Sequence, residues 1–131
     1  MDRVDDKEML ARFICSRKHF SPDNNRVKQN AFLPDNDSTT SVTRHDGLNE
    51  VEIWQAGEVA RGDRTLYARG DVQAFVARCT DLDVEPHEPP PHHAHIVRWC
   101  EDKSANKLKA QHLADAATLV INPNRDNTQN A

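Results

Sequence analysis

Three consecutive prolines, Pro89 to Pro91, stand between two alternating runs and constrain this chain more than any other feature. Proline cannot donate to a strand ladder and breaks helix interiors, so no regular element crosses them. LDVEP before the prolines and AHIVRW after them alternate apolar and polar residues, the period of a half-buried strand. The two runs read as neighbouring strands joined by a stiff, extended, polyproline-like loop, not by a two-residue turn. Four of the seven histidines, His87, His92, His93 and His95, fall on this stretch. Any chemistry is first sought there.

The remaining elements are placed around that pair. ARFIC predicts a strand over residues 10 to 15, because Phe, Ile and Cys suit a pleated surface. Residues 16 to 37 carry Ser-Pro and Pro-Asp-Asn punctuation and read as an ordered loop pinned by Phe20, Val27, Phe32 and Leu33. STTSVTRH gives a strand over 38 to 45. Asn49, with Glu52 three positions on, predicts a helix opened by a capping box. Leu48, Val51 and Gln55 or Val59 mark its inner side, with Trp54 near, and Gly57 weakens its second half. A strand over 65 to 69 and a short helix behind Asp71 follow. Asp102 or Ser104 caps a last helix to about residue 120, with Ala105, Leu108, Leu113, Ala116, Ala117 and Val120 inward.

The expected fold is α+β: one domain over residues 1 to 121 and a flexible tail over 122 to 131. Its sheet is mostly antiparallel or mixed, with about four or five strands and two or three helices on one face.

A formal charge of −4 argues against general affinity for nucleic-acid backbone. Residues 12 to 28, with five Lys or Arg and one acid, are the one stretch that could hold it. Residues 81 to 88 carry four acids and no Lys or Arg, and they are a candidate internal partner for that patch. No apolar run approaches the roughly 20 residues of a membrane span, and MDRVDDKEML lacks the layout of an export signal. A cytoplasmic location is expected, with Cys15, Cys79 and Cys100 reduced.

Several short patterns occur in one order: RKHF, VKQNAFLPD, SVTRHDGLNEVEIW, YARGDV, LDVEPHEPP, and HHAHIVRW followed by EDK. With them the chain resembles a family of small bacterial proteins carried on mobile DNA, such as gene cassettes and prophage-like islands. That family has no assigned activity, so the resemblance implies a shared architecture over residues 12 to about 120, and no reaction. Where the family pattern leads to expect Gly-Trp-Pro after the H-A-x-I segment, this chain has Arg98-Trp99-Cys100.

Two functional readings follow. The first is a mobile-element accessory protein that binds a small ligand or a protein partner through a pocket lined by Arg44, Asp71, His93 and His95. Trp99, at a strand end, could border such a pocket or a homo-oligomer interface. The second is a toxin-like hydrolase or nuclease using His95 or His19 as base and Arg44 and Arg69 as phosphate clamps, since Arg offers a planar fork. A divalent metal is a further candidate, because His93 and His95 share one strand face about 7 Å apart. His19 or His45 would then complete three ligands. No HExxH, CxxC or glycine-rich phosphate loop is present, so no cofactor is indicated by motif. The enzyme needs its groups to converge on one cleft, whereas a binding module needs only a shaped surface.

Overall fold

The computed structural model describes residues 3 to 124. Its strands are β1 (Met9–Ile14), β2 (Phe20–Ser21), β3 (Arg26–Val27), β4 (Thr40–Arg44), β5 (Ala68–Gln73), β6 (Asp83–Pro86), β7 (His93–Val97) and β8 (Thr118–Ile121). Its α-helices are α1 (Glu50–Ala60), α2 (Ala74–Arg78) and α3 (Lys103–Ala116). Six strands form one antiparallel sheet in the order β6-β7-β4-β1-β5-β8, and β2 with β3 forms a separate ribbon. The α+β class therefore holds, with more strands than the sequence pattern predicts.

The three extra strands are β8 and the β2–β3 ribbon, the latter within residues expected as a loop. Residues 118 to 121, expected as the end of the last helix, leave it at Ala117 and pair with β5. Thr118, Val120 and Ile121 are β-branched and suit a sheet edge better than a helix. β5 runs on through Gly70 and Asp71 to Gln73, past the expected strand end at residue 69. A Cβ at residue 70 would meet Val27 at 3.0 Å, so glycine is what lets the β2–β3 ribbon lie close on the sheet. The domain also reaches past residue 121: Asn122 is buried and its amide donates to the Leu66 carbonyl at 2.9 Å. The rest of the expected tail, from residue 125, lies outside the described residues.

The helices do not share one face. Leu10, Ile14, Val42, Ala68, Val72 and Ile96 point to the side where Phe32 and the α3 residues Ala110, Leu113 and Ala114 close the main core. Phe13, whose pleat position is opposite, meets α1 on the other side. There Gly57 approaches the Phe13 ring and Leu66 so closely that a Cβ would lie 2.7 to 2.8 Å from them.

The inner side of α1 is Ile53, the half-buried Trp54 and Gly57, while the exposed Glu50 reaches Arg69 from the first turn. Val51 and Val59, expected inward, are 65% and 75% exposed. A glycine takes one of the inner positions, so hydrophobicity alone selects the wrong side. The capping box at Asn49 and Glu52 forms as expected, with both bonds present. In α3, Leu108 is likewise exposed. Asn106 is buried because its amide group bonds the backbone N–H and carbonyl of Cys100 at the turn before the helix.

α1 covers the β1–β5 half of its face. The β4–β7–β6 half of that face stays open.

Candidate functional site

The open half-face carries the histidines. In the β6–β7 hairpin Glu85 pairs with His95 and Pro86 with Ala94. One step further, the His87 N–H donates to the His93 carbonyl at 2.9 Å, so these two residues face each other across the hairpin. The two-residue period of a strand then puts His87, His93 and His95 on one side. One ring nitrogen from each lies within 4.8 Å of the others. The His87 and His93 Nδ1 atoms are 3.2 Å apart, and the His93 Nδ1 is also 2.9 Å from the His87 carbonyl. The His87 ring stacks on His95 at 4.0 Å, while His93 meets His95 edge-on at 4.9 Å. Burial, and then the neighbouring His87 and His93 rings, lower the pKa of His95, against an opposing pull from Asp37 and Asp35.

Beside the cluster lies a cleft of about 520 Å³. Phe13, Ser41 and Thr43 of the sheet line it, Val59 and Arg64 stand at the α1 end, and His93 lies opposite. Arg12, Cys15, His19 and Asp35 also border it. Two arginines and one carboxylate residue are among those that border it. Arg12 is held by its Nε donating to the Ala31 carbonyl at 2.6 Å and its Nη1 to the Ser41 carbonyl at 2.9 Å. Burial, and then Arg12, lower the pKa of His19. Burial raises that of Cys15 despite Arg64 and Arg12, so this thiol is not poised as a thiolate nucleophile.

The residues singled out from sequence separate into two groups. His93 and His95 come together as strand neighbours, and His19 shares the cleft with His93. Arg44 and Asp71 do not join them. One residue past Thr43, which pairs with His93, the pleat turns Arg44 to the opposite face. There its guanidinium forks onto the Glu8 carboxylate at 2.7 and 2.9 Å. Asp71 shares the histidine face but lies three strands from His93, roughly 14 Å at ordinary strand spacing. It accepts from Arg69 Nε at 3.0 Å and contacts His45 Nε2 at 3.2 Å. His45 is thereby kept from the cluster. The expected pocket of Arg44, Asp71, His93 and His95 is thus corrected to His87, His93, His95 and the cleft beside them. The expected catalytic trio of His95, His19 and Arg44 is likewise divided between two faces.

Other expectations are also revised. Residues 88 to 92 do not form an extended strip: the His93 N–H donates to the Pro90 carbonyl and the His92 N–H to the Glu88 carboxylate, closing a turn. The basic residues of 12 to 28 disperse. Arg12 turns inward, Arg17 lies 5.3 Å over the Tyr67 ring, and Arg26 reaches Asp115 at 3.9 Å. In the acidic segment Asp83 pairs with Arg78 instead of with that patch. Trp99 is buried in the main core, its indole N–H donating to the Ile96 carbonyl.

Sequence reasoning missed one residue. His87 sits one position past the strand-like run LDVEP and reads as loop. Counting outward from the prolines would have paired it with His93. Arg69, expected as a second phosphate clamp, is 2% exposed and enclosed by Glu50, Asp71 and the Trp54 ring, so it does not face the histidines as an open clamp. No helix among the described residues is long and apolar enough to cross a membrane. Compared with protein families, curated proteins and solved structures, the chain matches none.

Proposed function

We propose that this chain is a binding module, of the mobile-DNA accessory kind its motifs resemble, that takes a small anionic molecule into the cleft beside β4 and β7. The observation that carries the reading is the cleft itself. Its volume of about 520 Å³ falls in the range of small-molecule sites, and Arg12 and Arg64 border it beside the carboxylate of Asp35. Arg12 is already oriented by two backbone carbonyls, so it needs little ordering to meet an anion. Ser41, Thr43 and His19 offer neutral hydrogen-bonding groups that would fix orientation.

Thermal-shift and calorimetric titrations with inorganic phosphate and a panel of small carboxylates test the reading. An anion that binds should lose at least roughly tenfold in affinity in Arg64→Glu, about 1.4 kcal/mol. Arg26→Glu, away from the cleft in a hollow of about 380 Å³, should leave it unchanged. Equal affinity in wild type and Arg64→Glu would sink the reading.

A second reading, histidine-assisted hydrolysis of a phosphate ester, draws on His19 and His93 bordering one cleft. It requires turnover of an activated phosphodiester that is lost in His19→Ala. Binding without turnover selects the module.

A further inference from the structure

We infer that His87, His93 and His95 form a three-imidazole site for a first-row divalent transition ion of the zinc type, at the rim of the cleft. The hairpin register assembles it. His87 and His93 oppose each other across β6 and β7, and His95 follows two residues along the same strand face. No loop rearrangement is needed to bring the three rings together.

The distances suit such an ion. Zn–N bonds of about 2.0–2.1 Å in a tetrahedral shell place the ligand nitrogens roughly 3.4 Å apart. The candidate nitrogens lie within 4.8 Å of one another, and the His87 and His93 Nδ1 atoms are already at 3.2 Å. Rotation about the broad ring torsion of histidine closes the remaining gap at small cost. Ligation through His93 Nδ1 replaces that nitrogen's contact with the His87 carbonyl, 2.9 Å away.

The donor set selects the metal. Three neutral nitrogens and no carboxylate favour zinc, cobalt, nickel or copper over magnesium or calcium, which demand oxygen. Three protein ligands leave a fourth position for water or a bound anion, the pattern of reactive rather than purely structural zinc sites. His93 and Pro90 both border the cleft, so an ion here adjoins it. The site stands whether or not the cleft binds an anion.

The test uses the full chain freed of metal with a chelator, in phosphate-free buffer. Cobalt chloride is titrated with visible absorption as readout, and zinc chloride by calorimetry. One ion per chain should bind, with the intense visible bands of low-coordinate cobalt, and zinc should raise the Tm. Each of His87→Ala, His93→Ala and His95→Ala should weaken binding by more than roughly tenfold, taking the 10- to 100-fold loss of outer-shell changes as the lower guide. His112→Ala, on the exposed side of α3, should match wild type. Far-UV circular dichroism confirms folding of each variant, and His87→Gln replaces any that fails. Undiminished affinity in His87→Ala or His87→Gln, or wild-type binding no tighter than that of the triple variant, would overturn the site.

Discussion

Arg69→Met removes a buried guanidinium from between two carboxylates while keeping much of its aliphatic volume. In the native protein Arg69 Nε donates to Asp71 at 3.0 and 3.1 Å, and its two terminal nitrogens donate to Glu50 at 3.0 and 2.6 Å. Burial disfavours the charge, but these carboxylates outweigh it and raise the Arg69 pKa. The two acids do not matter equally. Glu50 is 65% exposed, so solvent would rehydrate it and its loss of partner is worth at most about 1 kcal/mol. Asp71 is 11% exposed and would keep only His45, at 3.2 Å. Breaking a buried pair by removing one member costs about 3–5 kcal/mol, because the other charge stays desolvated.

That is a fifth or more of the roughly 5–15 kcal/mol that holds a typical domain together. Urea unfolding followed by circular dichroism should show it directly as a lower midpoint at constant slope. The double variant Arg69→Met/Asp71→Asn removes the orphaned charge, so it should be more stable than the sum of the singles by about 2–3 kcal/mol. Glu50→Ala should lose less than about 1 kcal/mol. A loss below about 1 kcal/mol for Arg69→Met, or strict additivity in the cycle, would refute the idea that Asp71 depends on Arg69.

Three further outcomes are expected. Arg98 holds a φ of +73°, a region that costs non-glycine residues about 1–2 kcal/mol, so Arg98→Gly should raise stability by about 0.5–1 kcal/mol after the entropy of a freer unfolded chain. Gly57→Ala should lower stability by about 1–2 kcal/mol in the same unfolding assay, because clash with Phe13 and Leu66 exceeds the gain in helix propensity. The folded-state pKa of His19 lies below its ordinary 6.5, so the unfolded chain binds more protons between the two values. Its contribution is therefore present above pH 6.5 and lost as pH falls toward the folded value. His19→Gln should flatten the decline of Tm over that window.

Much of the frame was legible in the sequence, because local rules set it. The prolines fix the ends of β6 and β7, the alternation LDVEP and AHIVRW fixes their faces, and Asn49 with Glu52 fixes the start of α1. What stayed hidden depends on contacts distant in sequence. Gly57 looks like a weak point in a helix until Phe13 is placed against it, and nothing beside Gly70 in the sequence announces that Val27 packs over it. Arg44 and Asp71 read as site residues because polar groups at strand ends often are. Their partners Glu8 and Arg69 become visible only once the strands are ordered. His93 and His95 were legible by strand period, whereas His87 required the register of the hairpin. Arg98 holds a left-handed backbone that glycine would suit, and its residue type gives no sign of it.

The claim at the centre of this account is that the open half of the α1-side sheet face is where the protein binds its ligands. Backbone amide NMR of the labelled chain, titrated with zinc chloride and then with inorganic phosphate, tests it most directly. The account predicts zinc-induced shifts centred on His87, His93 and His95, and phosphate-induced shifts at His19, Ser41, Thr43 and Arg64, with α3 and β8 unmoved. Shifts concentrated at Arg26, Lys28 and Gln111, which border the second hollow, or an unchanged spectrum with both additions, would contradict it.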